Sequence, residues 1–204
     1  ICPRSADVIQ AGSFGPIRTF AEYATDYQKE KYLKKLLNGE MVIGLGMTEP
    51  NAGSAVTDLT TKAVQDGKGF RVSGSKVFTS NSPDADIFLI YVRYHEGING
   101  IGSVIMDTSM PGFSKGKSSK YTNGEEWCAL YFDNVYIAEE NVLLGPGGFK
   151  KQISGFNAER IGNSARSLAL GEFAFNVARE YAVTESNSER KFVNFKAFNG
   201  SFQI

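Results

Sequence analysis

The stretch Gly44-Leu45-Gly46-Met47-Thr48-Glu49-Pro50-Asn51-Ala52-Gly53-Ser54 is the most informative part of the chain. Its first residues have the composition of a short apolar strand, and the Glu-Pro dipeptide after them marks a turn. Small residues follow that turn, and glycine lets a backbone approach a ligand closely. The stretch therefore predicts a strand that ends in a loop suited to contact with a ligand.

The surrounding residues 41–145 are divided into short segments rich in β-branched and aromatic residues. The predicted strands cover residues 41–47, 59–64, 69–72, 87–92, 102–106 and 129–135. Turn clusters such as Gln65-Asp66-Gly67-Lys68 and Ser73-Gly74-Ser75 separate them. Many short strands divided in this way are typical of an antiparallel sandwich or barrel. The prediction is an α+β fold with an antiparallel β-sandwich or barrel in the middle, flanked by helices.

Helical patterns flank this β region on both sides. Thr25-Asp26-Tyr27-Gln28 is a capping-box pattern that opens a charged helix, and Asn38-Gly39 ends it. After residue 148 an apolar face is predicted on one long helix over residues 149–184, formed by Phe149, Ile153, Phe156, Ile161, Ala165, Leu168, Phe173, Val177 and Tyr181. The predicted organisation is a helical region (1–40), a β domain (41–145), a long helix (146–184) and an atypical tail (185–204).

Composition excludes several classes of function. Lys and Arg together number 22, as do Asp and Glu, so no net charge draws the protein to nucleic acid or to an anionic membrane. No run of apolar residues is long enough for a membrane span. Cys2 and Cys128 form no metal-binding spacing or disulfide framework, which suits the reducing cytoplasm. The single histidine, His95, has no Ser or Cys motif as a partner, so a structural role is expected for it.

A third segment, Phe156-Asn157-Ala158-Glu159-Arg160, lies on the predicted long helix. Together with the stretch at 44–54 and with Lys76-Val77-Phe78-Thr79-Ser80-Asn81, it resembles the acyl-CoA dehydrogenase family, whose members have helical, sandwich and helical domains. The resemblance implies FAD as cofactor, an acyl-CoA thioester as substrate and an electron-transfer flavoprotein as partner. The implied reaction is α,β-dehydrogenation, in which a carboxylate removes the α-proton and the β-hydrogen leaves as hydride to the flavin.

The resemblance also implies roles for residues in the first two segments. Flavin contacts are expected from Leu45, Met47, Thr48 and Gly53, and from Phe78, Thr79 and Ser80, whereas Ser54 is expected to face the CoA. Phe78 and Ser80 keep the flat apolar face and the hydroxyl donor of the family pattern. The sequence departs from that pattern at Ala55, where Asp is usual, and at Thr79, where Ile is usual. The alternative for the first segment is a strand end with a tight turn, and the alternative for the second is an ordinary hairpin strand.

Glu159 is the predicted catalytic residue. Most family members carry their catalytic Glu further along the chain, but the isovaleryl-CoA and long-chain enzymes carry it one residue before the Arg that Arg160 resembles. A Glu in a cleft from which substrate expels water has a raised pKa, which suits a base for a weak carbon acid. Asn157 and Arg160 are expected to contact CoA or a substrate loop. The alternative is a solvated helix carboxylate that pairs with Arg160.

The residues after Thr184 do not follow the family pattern. A one-base deletion after the Thr184 codon would convert the family-like continuation TRVQFGKKICEFQGFQW into TESNSERKFVNFKAFNG, which is the sequence observed at 184–200. We therefore hypothesise a frameshift, together with a truncated family protein that forms a homo-oligomer. Two further readings stay open at this point, namely a non-catalytic remnant of the family, and a flavin-dependent acyl-CoA oxidase or monooxygenase relative in fatty acid metabolism.

Overall fold

A mixed nine-stranded sheet forms the centre of the computed structural model, which describes Ser5 and residues 15–187 and 190–191. Its strands are β1 (Ile43–Gly46), β2 (Lys62–Asp66), β3 (Gly69–Ser80), β4 (Ile87–Arg93), β5 (Ile101–Asp107), β6 (Phe113–Lys115), β7 (Ser119–Lys120), β8 (Glu126–Ile137) and β9 (Val142–Leu144). The order is β6-β8-β3-β2-β4-β5-β9, with β1 beside β4 and β7 beside β8. The predicted α+β fold, a β domain flanked by helices, is confirmed. Most pairings are antiparallel, but β1 and β2 each pair with β4 in parallel.

Strand β3 is longer than the sequence indicated, because the cluster Ser73-Gly74-Ser75 does not end it. Instead Gly74 has φ of +148° and lies at an irregularity in the pairing between β3 and β8. A Cβ atom at Gly74 would come within 2.6 Å of Thr61 Oγ1. Glycine here allows β3 to pass close to Thr61 and continue, so its role is close approach and not chain reversal.

Within residues 15–187 the α-helical segments are α1 (Pro16–Tyr23), α2 (Asp26–Gln28), α3 (Lys34–Leu37) and α4 (Phe149–Thr184). A π-helical turn, Lys29–Leu33, joins α2 to α3. The capping box is confirmed: Gln28 N donates to Thr25 Oγ1 at 3.2 Å, and Thr25 N donates to Gln28 Oε1 at 3.0 Å. Gln28 Nε2 also donates to the carbonyl oxygens of Glu140 and Val142, so the capping residue holds this helical segment to β9. Gly39 follows the helix with φ of +72°.

Strand β4 lies at the centre of the hydrophobic core, with apolar residues buried on both of its faces. On one face Phe88 and Ile90 pack in a cluster with residues of β5 and β8. On the other face Ile87 and Leu89 pack against a cluster that includes Phe20 of α1. Burial on both sides explains why this strand is continuously apolar and not alternating.

The long helix α4 has the bounds that the sequence predicts. Its first turns pack on the sheet, where Phe149 and Phe156 contact a cluster that contains Tyr91 and Ile101. At Gly155, a Cβ atom would come within 2.4 Å of Thr19 Oγ1, so α1 and α4 approach closely there. Beyond this region the predicted apolar face is exposed, at Ile161, Leu168, Phe173, Val177 and Tyr181.

Two short strands, β10 (Ser186–Asn187) and β11 (Arg190–Lys191), pair antiparallel after α4. They are the only parts of the hypothesised frameshifted tail whose backbone is described beyond Glu185, since residues 188–189 and 192–204 lie outside the described residues. Within the described part of the chain, no helix has the length and apolar character that crossing a membrane requires.

Candidate functional site

One cleft collects side chains from the three segments that the sequence singles out. Leu45, Met47 and Thr48 come from β1 and the residues after it, Phe78 and Ser80 come from the end of β3, and Glu159 comes from α4. The rest of the lining consists of Val77 and Asn81 of the segment 76–81, Ile43 of β1, and Gly15 and Pro16, and of these only Gly15 and Pro16 were not indicated by the sequence. The cleft has a volume of about 150 Å³. This is smaller than typical small-molecule sites, which enclose roughly 300–1,000 Å³.

Hydrogen bonds join the first two segments across the sheet. Val77 N donates to the Thr48 carbonyl at 2.9 Å, and the buried Lys76 Nζ donates to the Met47 carbonyl at 3.1 Å. Because Met47, Thr48 and Val77 line the cleft, these contacts fix two of its walls relative to each other. The order of residues along the chain alone does not produce this juxtaposition.

A buried ion pair strengthens the same junction. Lys76 Nζ lies 2.8 Å from Glu49 Oε1, and the two side chains are 0% and 4% exposed. Glu49 also accepts hydrogen bonds from Thr60 N and Oγ1 at 2.7 Å and from Thr61 N at 2.9 Å. Burial alone would raise the pKa of Glu49, but the Lys76 charge and these hydrogen bonds lower it to about 2. Burial lowers the pKa of Lys76 to about 8, so both groups are ionised at neutral pH.

Phe78 occupies an unusual backbone conformation at the mouth of the cleft. Its φ is +56°, and it lies in a bulge where the pairing of β3 with β8 shifts between Lys76 and Thr79. A bulky residue at positive φ is rare, and such strain concentrates at functional sites. The Phe78 ring is 53% exposed and contacts the rings of Trp127 at 4.6 Å and Tyr121 at 6.3 Å. The bulge therefore turns a flat apolar ring outward beside the cleft.

The structure places the remaining predicted flavin and CoA residues outside the cleft wall. Thr79 lies between Phe78 and Ser80 in the chain, but it is only 1% exposed, and its Oγ1 has no hydrogen-bond partner among the described residues. Gly53 and Ser54 are exposed in the loop after the turn that the Glu49–Ala52 bridge closes. Nothing lies within 4 Å of a Cβ built at Gly53. That loop is open to a ligand that approaches from solvent.

The predicted residues of α4 differ in their surroundings. Asn157 and Arg160 are exposed, and Arg160 Nη1 donates to Asn157 Oδ1 at 2.9 Å. Glu159 is half-buried and points to the cleft, and its burial raises the pKa of its carboxyl group although the charge of Arg160 lowers it. Glu159 also borders a second, much smaller cavity of about 10 Å³, which is lined by Thr19, Tyr91 and Phe156 among others. Tyr91 gives no signal in the sequence, because it lies in the buried run 87–92 of β4, in which the other residues are apolar.

Comparison with known proteins identifies the family of this fold. Residues 44–135, which contain the cleft segments of β1 and β3, match the family profile described as acyl-CoA dehydrogenase, middle domain. The chain belongs to the acyl-CoA dehydrogenase family. Its fold, with a β domain between helices, is the fold of this family's solved members.

Several acyl-CoA dehydrogenases are similar to the chain over most of its length. It is 32% identical over 189 residues to the mitochondrial isovaleryl-CoA dehydrogenase of Oryza sativa subsp. japonica, which covers 90% of this chain and 46% of that protein. It is 31% identical over 201 residues to the short-chain-specific acyl-CoA dehydrogenase of Clostridium acetobutylicum. This match covers 96% of this chain and 53% of that protein. The structure of butyryl-CoA dehydrogenase from Megasphaera elsdenii superposes on the chain with a TM-score of 0.87 at 28% identity. The superposition covers 94% of this chain and 52% of that protein. The chain thus spans about half the length of these relatives.

Proposed function

We propose that the chain is an FAD-dependent acyl-CoA dehydrogenase that oxidises the α,β-bond of an acyl-CoA thioester and passes the electrons to an electron-transfer flavoprotein. The observation that carries this proposal is the single cleft that gathers Leu45, Met47, Thr48, Phe78, Ser80 and Glu159 from three separate segments. A ligand in that cleft would contact the residues expected to hold a flavin and the residue expected to act as base at the same time.

The lining of the cleft suits an isoalloxazine ring. Leu45, Met47 and the exposed ring of Phe78 offer apolar contact to a planar ligand, and Thr48 and Ser80 offer hydroxyl groups at its polar edge. We propose that these residues hold the flavin and that Gly53 and Thr79 support it from the adjoining backbone. When bound, FAD would supply the acceptor for the hydride that leaves the β-carbon.

We propose that Glu159 removes the α-proton of the substrate. Its carboxyl group borders the cleft and is half-buried, and its raised pKa makes it a stronger base than an exposed glutamate. Ser54, Asn157 and Arg160 are exposed and would contact the CoA part of the substrate, for which the Arg160 guanidinium offers paired donors to phosphate. The chain is similar to isovaleryl-CoA dehydrogenase. Because the family resemblance implies a base at this position in enzymes of that kind, the similarity supports Glu159 as the proposed base.

The first test is the visible absorption spectrum of the purified protein before and after addition of excess FAD. Flavin bands that bleach anaerobically when an acyl-CoA is added would support the proposal. We expect Ser80→Ala to weaken FAD binding, whereas Ser114→Ala, at an exposed position of β6, should not. A colourless protein that FAD cannot reconstitute would contradict the proposal and would favour a family fold without the chemistry.

The second test separates the base from the cofactor. Glu159→Gln is expected to keep bound FAD but to slow anaerobic bleaching by an acyl-CoA by at least about 100-fold, because general bases contribute factors of 10²–10⁴. The matched control is Glu172→Gln, which changes an exposed carboxylate on the same helix. Bleaching at the wild-type rate in Glu159→Gln would show that the base is another group.

We further propose a homo-oligomer that acts in the cytoplasm in fatty acid metabolism. The exposed apolar residues of α4, such as Ile161 at 72% and Leu168 at 75%, support association because burial of such residues is favourable. Light scattering of the protein in solution measures the oligomeric state directly.

A further inference from the structure

Glu159 lies between two cavities of different character. On one side is the open cleft with the proposed flavin-binding residues. On the other side is the cavity of about 10 Å³, which reaches between α1, α4 and the sheet. A space of this size holds one water molecule at most. The smaller cavity therefore leaves little room for solvent between the residues that line it.

Tyr91 closes the inner cavity from the sheet. It belongs to β4, is 1% exposed and packs with Ile101, Phe149 and Phe156 beneath the first turns of α4. The cavity that it lines is also lined by Glu159. Its ring is thus held by packing on several sides, and it lines the same small cavity as Glu159, where there is little room for solvent to screen the two groups from each other.

Among the described residues that line the inner cavity, Tyr91 and Glu159 are the titratable ones. The remaining residues that line the inner cavity are Gly15, Pro16, Thr19, Leu45, Gly155 and Phe156, and none of them has a titratable side chain. From α4 itself, Arg160 acts on Glu159 by its charge. Burial and the charge of Glu159 both raise the pKa of Tyr91, so the phenol is neutral and keeps its proton at any pH at which the protein works. Tyr91 can therefore act on Glu159 as a hydrogen-bond donor.

We propose that Tyr91 is a positioning residue for Glu159. The neutral hydroxyl of Tyr91 donates to the ionised Glu159 carboxylate across the smaller cavity, directly or through a single water. The contact stabilises the carboxylate form and holds Glu159 toward the cleft, against the burial that favours the protonated form. Its role in turnover rests on the proposed function, but the coupling between the two side chains does not.

The coupling is measured by ¹³C NMR of the full chain labelled at glutamate side-chain carboxyl carbons, with the Glu159 resonance assigned by its absence in Glu159→Gln. Tyr91→Phe removes only the hydroxyl. We expect it to raise the proton affinity of Glu159 by about tenfold, because a hydrogen bond to a charged group has roughly this strength. The titration midpoint of Glu159 should accordingly move to higher pH.

Tyr94→Phe is the matched control. It removes a second buried tyrosine hydroxyl, and this one has no hydrogen-bond partner among the described residues and no charged neighbour that shifts its pKa. The midpoint of Glu159 should be unchanged in Tyr94→Phe. An unchanged midpoint in Tyr91→Phe, or an equal shift in both variants, would overturn the proposal.

A reciprocal measurement decides the question even if Tyr91→Phe does not fold. With ¹³Cζ-labelled tyrosine, one of the nine tyrosine resonances should follow the ionisation of Glu159 in the wild type and lose that step in Glu159→Gln. If no resonance loses a step, the proposal is wrong. A protein that shows this coupling but whose flavin no acyl-CoA bleaches would refute the proposed function and leave the coupling established.

Discussion

Replacing Lys76 by Met tests whether the buried ion pair holds the cleft together. The variant removes the partner at 2.8 Å from Glu49 and the donor at 3.1 Å from the Met47 carbonyl, while Met has a similar length and no charge. Glu49 keeps its hydrogen bonds from Thr60 and Thr61. A buried carboxylate that loses its ionic partner costs about 3–5 kcal/mol. We expect the lower end of this range, about 3 kcal/mol, because those three donors remain.

The assay is equilibrium unfolding in urea at pH 7, followed by circular dichroism. A loss of about 3 kcal/mol is a large part of the roughly 5–15 kcal/mol that stabilises a typical domain. The control is Lys120→Met, which removes a similar pair at 3.0 Å from Glu126, but with side chains 69% and 37% exposed. Exposed pairs contribute about 0–1 kcal/mol. Because the two pairs have similar N–O distances, a smaller loss of stability in the control shows the effect of burial.

Acid pH provides an internal check of the same reasoning. Because the pKa of Glu49 is about 2 in the folded protein and 4.5 in the reference state, its contribution to stability is present above pH 4.5 and is lost as the pH falls toward 2. That difference corresponds to about 3 kcal/mol. Without Lys76 the carboxylate takes up a proton at higher pH, so the stability difference between wild type and Lys76→Met should shrink from pH 5 to pH 2.

The double variant Lys76→Met/Glu49→Gln should be more stable than Lys76→Met alone, because it removes the unpaired buried charge. The reasoning is refuted if Lys76→Met costs less than about 1 kcal/mol at pH 7 and the added Glu49→Gln change restores nothing. It is also refuted if the cost is the same at pH 2 as at pH 7.

Two further predictions concern the helix contact and the cleft. Gly155→Ala should destabilise the protein, because its Cβ would lie 2.4 Å from Thr19 Oγ1. Gly171→Ala on the same helix, where a Cβ would meet nothing within 4 Å, should stabilise the protein by up to about 1 kcal/mol. Melting temperatures of the two variants that move in the same direction would contradict this prediction. Trp127 is the only tryptophan, and its ring lies 4.6 Å from that of Phe78, so FAD binding should quench tryptophan emission. Bound FAD with unchanged Trp127 emission would argue against a flavin beside Phe78.

The sequence predicts well those features whose physical cause lies within a few neighbouring residues. The capping box at Thr25 and Gln28 was predictable because both of its hydrogen bonds span three residues. The bounds of α4 follow from an apolar period that one segment contains. The segments at 44–54 and 76–81 were recognisable as a pair because each resembles a family segment whose residues are consecutive in the chain.

Other features were set by contacts between distant parts of the chain. The parallel pairing of β1 with β4 and the ion pair between Lys76 and Glu49 join residues that no local pattern relates. The same holds for Tyr91. In the sequence it is one residue of an apolar strand, and only the packing of α4 on the sheet brings it to the same cavity as Glu159. The exposure of the apolar residues of α4 beyond Arg160 was also not predictable, because the sequence pattern of an apolar helix face is the same whether or not another element covers it.

The sequence by itself determined which side chains are available to the proposed site, and the tertiary structure decided which of them meet. The side-chain chemistry of Leu45, Phe78 and Glu159 does not depend on their position in the fold. They share one cleft only because the sheet and α4 pack around a common core. That packing depends on the free energy of many distant contacts made together, and this quantity cannot be assigned to any single stretch of the chain.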